Sequence, residues 1–280
     1  MTQVLPQRVY EAARARAGRV KRAVLLARTR TVSRFYTPKK YVFVVSSGRS
    51  GSTLVQGLLN ALPGVLVRGE NGFYLLQLFR SQRRVRNYQR SFGGNSWQPT
   101  SAFYGIDEAD PDDFLRAARK LMYGQLLARH NPLSVRTLGF KEIRWEELRK
   151  DEWEPFFEFF ERIFPDARYV LNDRNPENVV DSGHWQKVER DKALRTLHHA
   201  RDLRAFLRRT RPDRTYDVTF EVITGTDRAA SDAQLAGLAK FVIGRDDARI
   251  LDDLRAVLRV GHGPFPFGKA RVPRRGKTSA

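Results

Sequence analysis

The chain has 280 residues and no cysteine. That absence excludes a disulfide scaffold, a thiolate metal site and a cysteine nucleophile. Long apolar runs are missing too. The longest one near the N-terminus is Ala23–Ala27, far short of a spanning helix or a signal-peptide core, and a cytoplasmic protein is expected. Acid is scarce at both ends. Residues 1–40 hold 11 Lys/Arg against Glu11 alone, and residues 269–280 hold five Lys/Arg and no acid. Of the formal net charge of +20, residues 41–268 carry only +5. The near balance of the body argues against nucleic acid as the main ligand. Basic ends suit an anionic surface.

Three segments are expected: a basic arm over 1–40, a globular body over 41–268 and a basic tail over 269–280. Within the arm, residues 8–35 have the spacing of one amphipathic helix, with Val9, Ala13, Ala17, Val20 and Val24 on a thin apolar stripe. Such a helix can lie on an anionic bilayer, at the inner membrane surface, or pack on the body.

In the body, Tyr41–Val45 reads as a strand buried on both faces. Ser46–Ser52 is a loop, Thr53–Leu62 a helix stopped by Pro63-Gly64, and Val65–Val67 a short strand. A helix is expected over Asn71–Arg84 and an irregular aromatic loop over Asn87–Gly105. The next helix opens at Asp110-Pro111, with Phe114, Ala118, Leu121, Met122 and Leu126 on one face. Strands at Thr137–Ile143, Arg168–Asn172 and Tyr216–Ile223 alternate with helices at 154–164, up to about Arg209, 231–243 and 246–259. The alternation predicts an α/β, three-layer, P-loop-like fold whose central, mainly parallel sheet is flanked by helices.

After the first strand comes Ser46-Ser47-Gly48-Arg49-Ser50-Gly51-Ser52-Thr53, then a helix. Glycines let the backbone aim its N–H groups inward, and the helix adds free donors and the positive end of its dipole. Hydroxyls of Ser50, Ser52 and Thr53 and the fork of Arg49 complete a site for a tetrahedral anion. It is not a Walker A loop, which places a lysine after its last glycine. Here Ser52 follows Gly51 and the loop has no lysine. The alternative is a Ser/Gly-rich turn capping an ordinary helix. A second cluster follows a later strand. Arg174 stands at the strand end, Pro176 opens a helix, and Ser182 is placed about two turns in. Arg174 and Ser182 can hold one phosphate at the carboxyl edge of the sheet. Alternatively, Arg174 pairs with Asp173 or Asp181.

Together the two clusters resemble those of sulfotransferases that use 3′-phosphoadenosine 5′-phosphosulfate (PAPS). In that family an R-x-G-S-[ST] loop binds the 5′-phosphosulfate, matched here by Arg49, Ser50, Gly51, Ser52 and Thr53. An R-x-P-x-x-x-x-x-S segment binds the 3′-phosphate, matched by Arg174, Pro176 and Ser182. Phe241-Val242-Ile243-Gly244 looks like the family's late helix end, and the resemblance covers roughly 41–244. The loop is closest in form to bacterial and carbohydrate sulfotransferases. The K-T-H segment of the phenol and steroid enzymes is missing, which shifts the search for a base to a carboxylate. The resemblance thus implies sulfuryl transfer from PAPS, with PAP as product, to a hydroxyl of a carbohydrate, glycolipid or other small molecule. It also implies Glu70, in Arg68-Gly69-Glu70-Asn71, as the base; alternatively Glu70 serves the dipole of the next helix.

Lys141 and Arg144, in Gly139-Phe140-Lys141-Glu142-Ile143-Arg144, can neutralise the transferring group or pair with Glu142, Glu146 or Glu147. His184 is a second candidate base. His198-His199 has no carboxylate at metal-site spacing, so no metal is expected. Phe73-Tyr74 and the aromatic loop are expected to line the acceptor pocket. The competing function is a small-molecule kinase using ATP.

Overall fold

The computed structural model describes residue 38, residues 40–128 and residues 130–260, apart from the side chain of His184. The expected arm helix over 8–35 and the basic tail lie outside the described residues. No described helix is long and apolar enough to cross a membrane.

Five strands form one parallel sheet flanked by helices. They are β1 (Lys40–Val45), β2 (Val65–Arg68), β3 (Thr137–Glu142), β4 (Ala167–Asp173) and β5 (Thr215–Thr219). The helices are α1 (Ser52–Ala61), α2 (Tyr74–Phe92), α3 (Asp112–Leu127), α4 (Trp153–Ile163), α5 (Pro176–Val180), α6 (Arg190–Thr210), α7 (Phe220–Thr224), α8 (Arg228–Ile243) and α9 (Ala248–Val260). The sheet order is β2-β3-β1-β4-β5. β4 and β5 run parallel, with Tyr169 opposite Thr215 and Asp173 opposite Thr219. The chain fills one side of β1 and later returns to fill the other. The carboxyl end of β1 is therefore the switch point, where binding crevices of open α/β sheets form.

β1 is buried on both faces because its β-branched and aromatic residues suit both. Val42 and Val44 pack with Leu54, Val55, Leu58 and Leu59 of α1 and with apolar residues of α8 and α9. Phe43 turns to the other face, against Phe140 at 4.9 Å between ring centroids. Leu62 ends α1 in extended backbone before Pro63-Gly64.

The chain divides into two compact units. One holds residues 74–138 and 154–166. In it, Phe79 meets Phe156 edge-on at 5.4 Å, and Arg162 pairs with Asp112 at 2.8 Å. The other holds residues 42–73, 139–153 and 167 onward.

Several local expectations are corrected. α2 runs to Phe92, so the helix takes up the first third of the expected aromatic loop. Phe92 stacks on Phe103 with centroids 4.0 Å apart, and that stack holds the helix end. Leu121 is 53% exposed; the buried face of α3 runs instead through Leu115, Ala118, Met122, Leu126 and Leu127. The strand expected over Tyr216–Ile223 stops at Thr219 and turns into α7. Ser182 is not in a helix. α5 ends at Val180, Ser182 is extended, and Gly183 turns the chain with φ 62°.

Candidate functional site

A cavity of about 190 Å3 opens at the carboxyl end of β1. Its walls are Gly48, Arg49, Gly51, Ser52, Thr53, Glu70, Lys141, Ile143, Arg174 and Phe220. All ten belong to the second unit. Seven of the nine candidate residues therefore meet in one place: Arg49, Gly51, Ser52, Thr53, Glu70, Lys141 and Arg174.

The loop is built from its own hydrogen bonds. Ser50 Oγ donates to Ser47 O at 2.7 Å, and Leu54 N donates to Gly51 O at 2.9 Å. Arg49 and Gly51 both have left-handed backbone, with φ 65° and 82°. Alternation of this kind turns successive N–H groups toward one side. No side chain caps α1, so the first-turn amides of Ser52 and Thr53 face the cavity without an intrahelical partner. A Cβ on Gly51 would overlap the Phe220 ring, so glycine also admits Phe220 to the wall.

The rest of the chain grips the loop from behind. Asn172 Nδ2, fully buried at the end of β4, donates to both Ser50 O and Ser50 Oγ at 2.9 Å. Trp185 Nε1 donates to Gly48 O at 3.1 Å. Arg174 Nη1 donates to Arg49 O at 2.8 Å, and its guanidinium lies over the Phe220 ring, 4.6 Å from the centroid. Arg174 makes no carboxylate pair among the described residues. Asp173 is taken by Arg204 and Asp181 by Arg190. The side chain of Arg49 passes Gly183, whose Cβ would come within 2.8 Å of Nε.

Two candidates are placed differently. Ser50 is buried, its hydroxyl committed to Ser47 and Asn172, and it does not line the cavity. Ser182 does not line it either; Ser182 Oγ donates to Val179 O at 3.0 Å. Both serines lose reach because backbone carbonyls nearby claim their hydroxyls.

The opposite wall is charged. Glu70 lies past β2, four residues before α2 begins, and not in the first turn of that helix. It pairs with Lys141, whose side chain is 6% exposed, and lies 3.7 Å from Arg144 Nη1. The buried Glu142 sets this geometry. Its Oε2 accepts from Asn71 N at 3.2 Å and Phe73 N at 3.1 Å. Its Oε1 accepts from Ile143 N at 2.9 Å and pairs with Arg144 Nη1 at 3.4 Å. One carboxylate thus holds the segments on either side of the Glu70–Lys141 pair. Asn60 clamps β2 to α1 through two 2.8 Å bonds to Val67.

Phe73 is fully buried against Trp145, 4.9 Å between centroids. It is core and does not line the cavity, contrary to expectation. Burial pushes the phenol of the neighbouring Tyr74 up to about 12. The sequence reading missed Phe220, Glu142 and Asn172. Only Asn172 carried a signal, since it directly precedes Asp173-Arg174 at a strand end. Among the described residues, no group of His, Asp or Glu is placed to hold a metal ion.

Three cations thus face one carboxylate around an uncapped helix N-terminus, an arrangement suited to a ligand with several negative charges. No curated protein matches the sequence. Among solved structures, sulfotransferase STF9 from Mycobacterium avium matches with a TM-score of 0.45 and 14% identity, over 80% of this chain and 69% of that one. The sequence profile of the sulfotransferase family matches residues 41–231, more than half of the chain. The protein belongs to the sulfotransferase family.

Proposed function

We propose that the protein transfers the sulfuryl group of PAPS to a hydroxyl of a carbohydrate, glycolipid or other small molecule. The observation that carries this reading is the cavity at the end of β1. It joins the uncapped start of α1 and the arginines 49 and 174 to the Glu70–Lys141 pair.

Amides of Gly51, Ser52 and Thr53, with Arg49, bind the 5′-phosphosulfate end. Arg174, which lines the cavity and makes no carboxylate pair among the described residues, binds the 3′-phosphate. Glu70 takes the proton of the acceptor hydroxyl. The acceptor oxygen then forms a bond to sulfur as the bond from sulfur to the phosphate oxygen breaks in line, and PAP leaves with those electrons. Lys141 stabilises charge on the sulfuryl oxygens. The protein's work is mainly position and charge, as in phosphoryl transfer.

Calorimetric titration with PAP tests the reading, with ATP–magnesium and 5′-AMP as controls. PAP is expected to bind tightest. ATP–magnesium binding without a preference for PAP would overturn it and favour a phosphotransferase.

A further inference from the structure

Behind Arg174 lies a second, much smaller cavity, walled by Ser47, Ser50, Arg174, Val179, Leu197 and Arg204, among others. Its space open to the centre of a water-sized sphere is about 10 Å3, roughly the minimum of ~10–15 Å3 that one water needs. Three polar atoms on residues of its wall are unsatisfied: Ser47 Oγ, Arg174 Nε and Arg204 Nε are buried with no hydrogen-bond partner. Leaving three buried polar atoms unpaired is costly. One water can accept from two arginine N–H groups and donate to a hydroxyl oxygen.

Arg204 is the unusual member. Its side chain is only 5% exposed, and it comes from α6, the helix behind the donor loop. Arg204 Nη2 donates to Asp173 Oδ1 at 2.9 Å, and the same oxygen accepts from Arg174 N at 3.1 Å. Asp173 therefore ties the buried guanidinium to the main chain of Arg174. The cavity ties it to the Arg174 side chain.

We propose that Arg204 is a positioning residue for Arg174, acting through Asp173 and through one internal water in this cavity. It fixes the rotamer with which Arg174 meets the 3′-phosphate. The inference rests on the donor reading above. A charge buried only for the fold would stabilise the protein without discriminating between nucleotides. A positioning role makes Arg204 matter to ligands that carry a 3′-phosphate and not to those that lack it.

The test compares R204K and R204M with the wild type by calorimetry, titrating PAP and adenosine 5′-phosphosulfate, which lacks the 3′-phosphate. In R204M the Kd for PAP should rise about tenfold, the size of one lost hydrogen bond to a charged group. The Kd for adenosine 5′-phosphosulfate should stay within about twofold. R204K can still reach Asp173 and should recover part of the PAP affinity. Thermal melts below which each variant is folded set the working temperature. Equal weakening toward both nucleotides, or none in a folded variant, would overturn the positioning role. If the wild type shows no preference for PAP, the donor reading has failed instead, and the two failures are distinguishable. Should R204M not fold, R204K alone decides, by the same ratio of PAP to adenosine 5′-phosphosulfate affinity.

Discussion

The two walls of the cavity are built by different forces. On the donor wall, Asn172, Trp185 and Arg174 reach in to grip backbone carbonyls of Gly48, Arg49 and Ser50. On the opposite wall, the contacts are between charges: Glu70 with Lys141, Arg144 with Glu70, and Arg144 with Glu142. Contacts to carbonyls tie this loop to residues distant in the chain. Charge-based contacts leave Glu70 partly open, its side chain 34% exposed.

The comparison breaks most sharply at Glu70. E70Q should lower kcat about 100-fold or more, the usual worth of a general base, while the Kd for PAP stays unchanged. Full activity in E70Q would remove the acid–base assignment from this wall. R174A should do the reverse. Its Kd for PAP is expected to rise roughly 100-fold, from lost charge-assisted bonds worth about 3 kcal/mol. Calorimetry and initial rates on both variants separate the walls. Loss of donor affinity in E70Q equal to that in R174A would mean that the walls act as one.

Shape alone is tested by glycine. G51A puts an alanine at φ 82° and against the Phe220 ring. G244A has almost the same φ, 80°, but open space around it. G244A should cost about 1 kcal/mol in denaturant unfolding, and G51A about 2 kcal/mol or more because the ring must also move. Equal costs would show that Phe220 yields freely and does not help to fix the cradle.

The last expected effect concerns charge beside the acidic wall and shows only as pH is changed. Burial pushes the Glu146 carboxyl from 4.5 up to about 7, with nearby Glu147 and Glu142 adding to it. The folded state then holds a proton that the unfolded chain releases, so stability falls as pH rises from about 4.5 to about 7. E146Q should therefore match the wild type near pH ~4 and exceed it by about 3 kcal/mol near pH ~8. Melts at both values check the sign. A loss of stability in E146Q near pH ~8 would show that Glu146 is held charged.

Much of the loop wall was legible because its structure is local. Ser46–Thr53 sits between a buried strand and a helix, and glycines there mark a tight turn at a helix start. Glu70 and Lys141 were legible as residue types, but 71 positions separate them in the chain. The direction of the serine hydroxyls was not legible, for a physical reason. Nothing in the local pattern tells whether a hydroxyl faces a cavity or the nearest carbonyl, and Ser50 and Ser182 both turned to carbonyls. Only the start of the aromatic segment departs from expectation, because α2 continues to Phe92, whose ring stacks on Phe103.

By itself, the amino-acid order determined the parallel α/β class and the glycine-bearing loop between β1 and α1. Each depends on periodicity or on neighbours within a few residues. Only the tertiary structure decided that Glu142 anchors the acidic wall, that Phe220 closes the cradle and that Arg204 stands behind Arg174. Trp185 and Gly48, joined by one hydrogen bond, are 137 residues apart. Partners so distant are chosen by how the sheet orders its strands, and no local pattern encodes that choice.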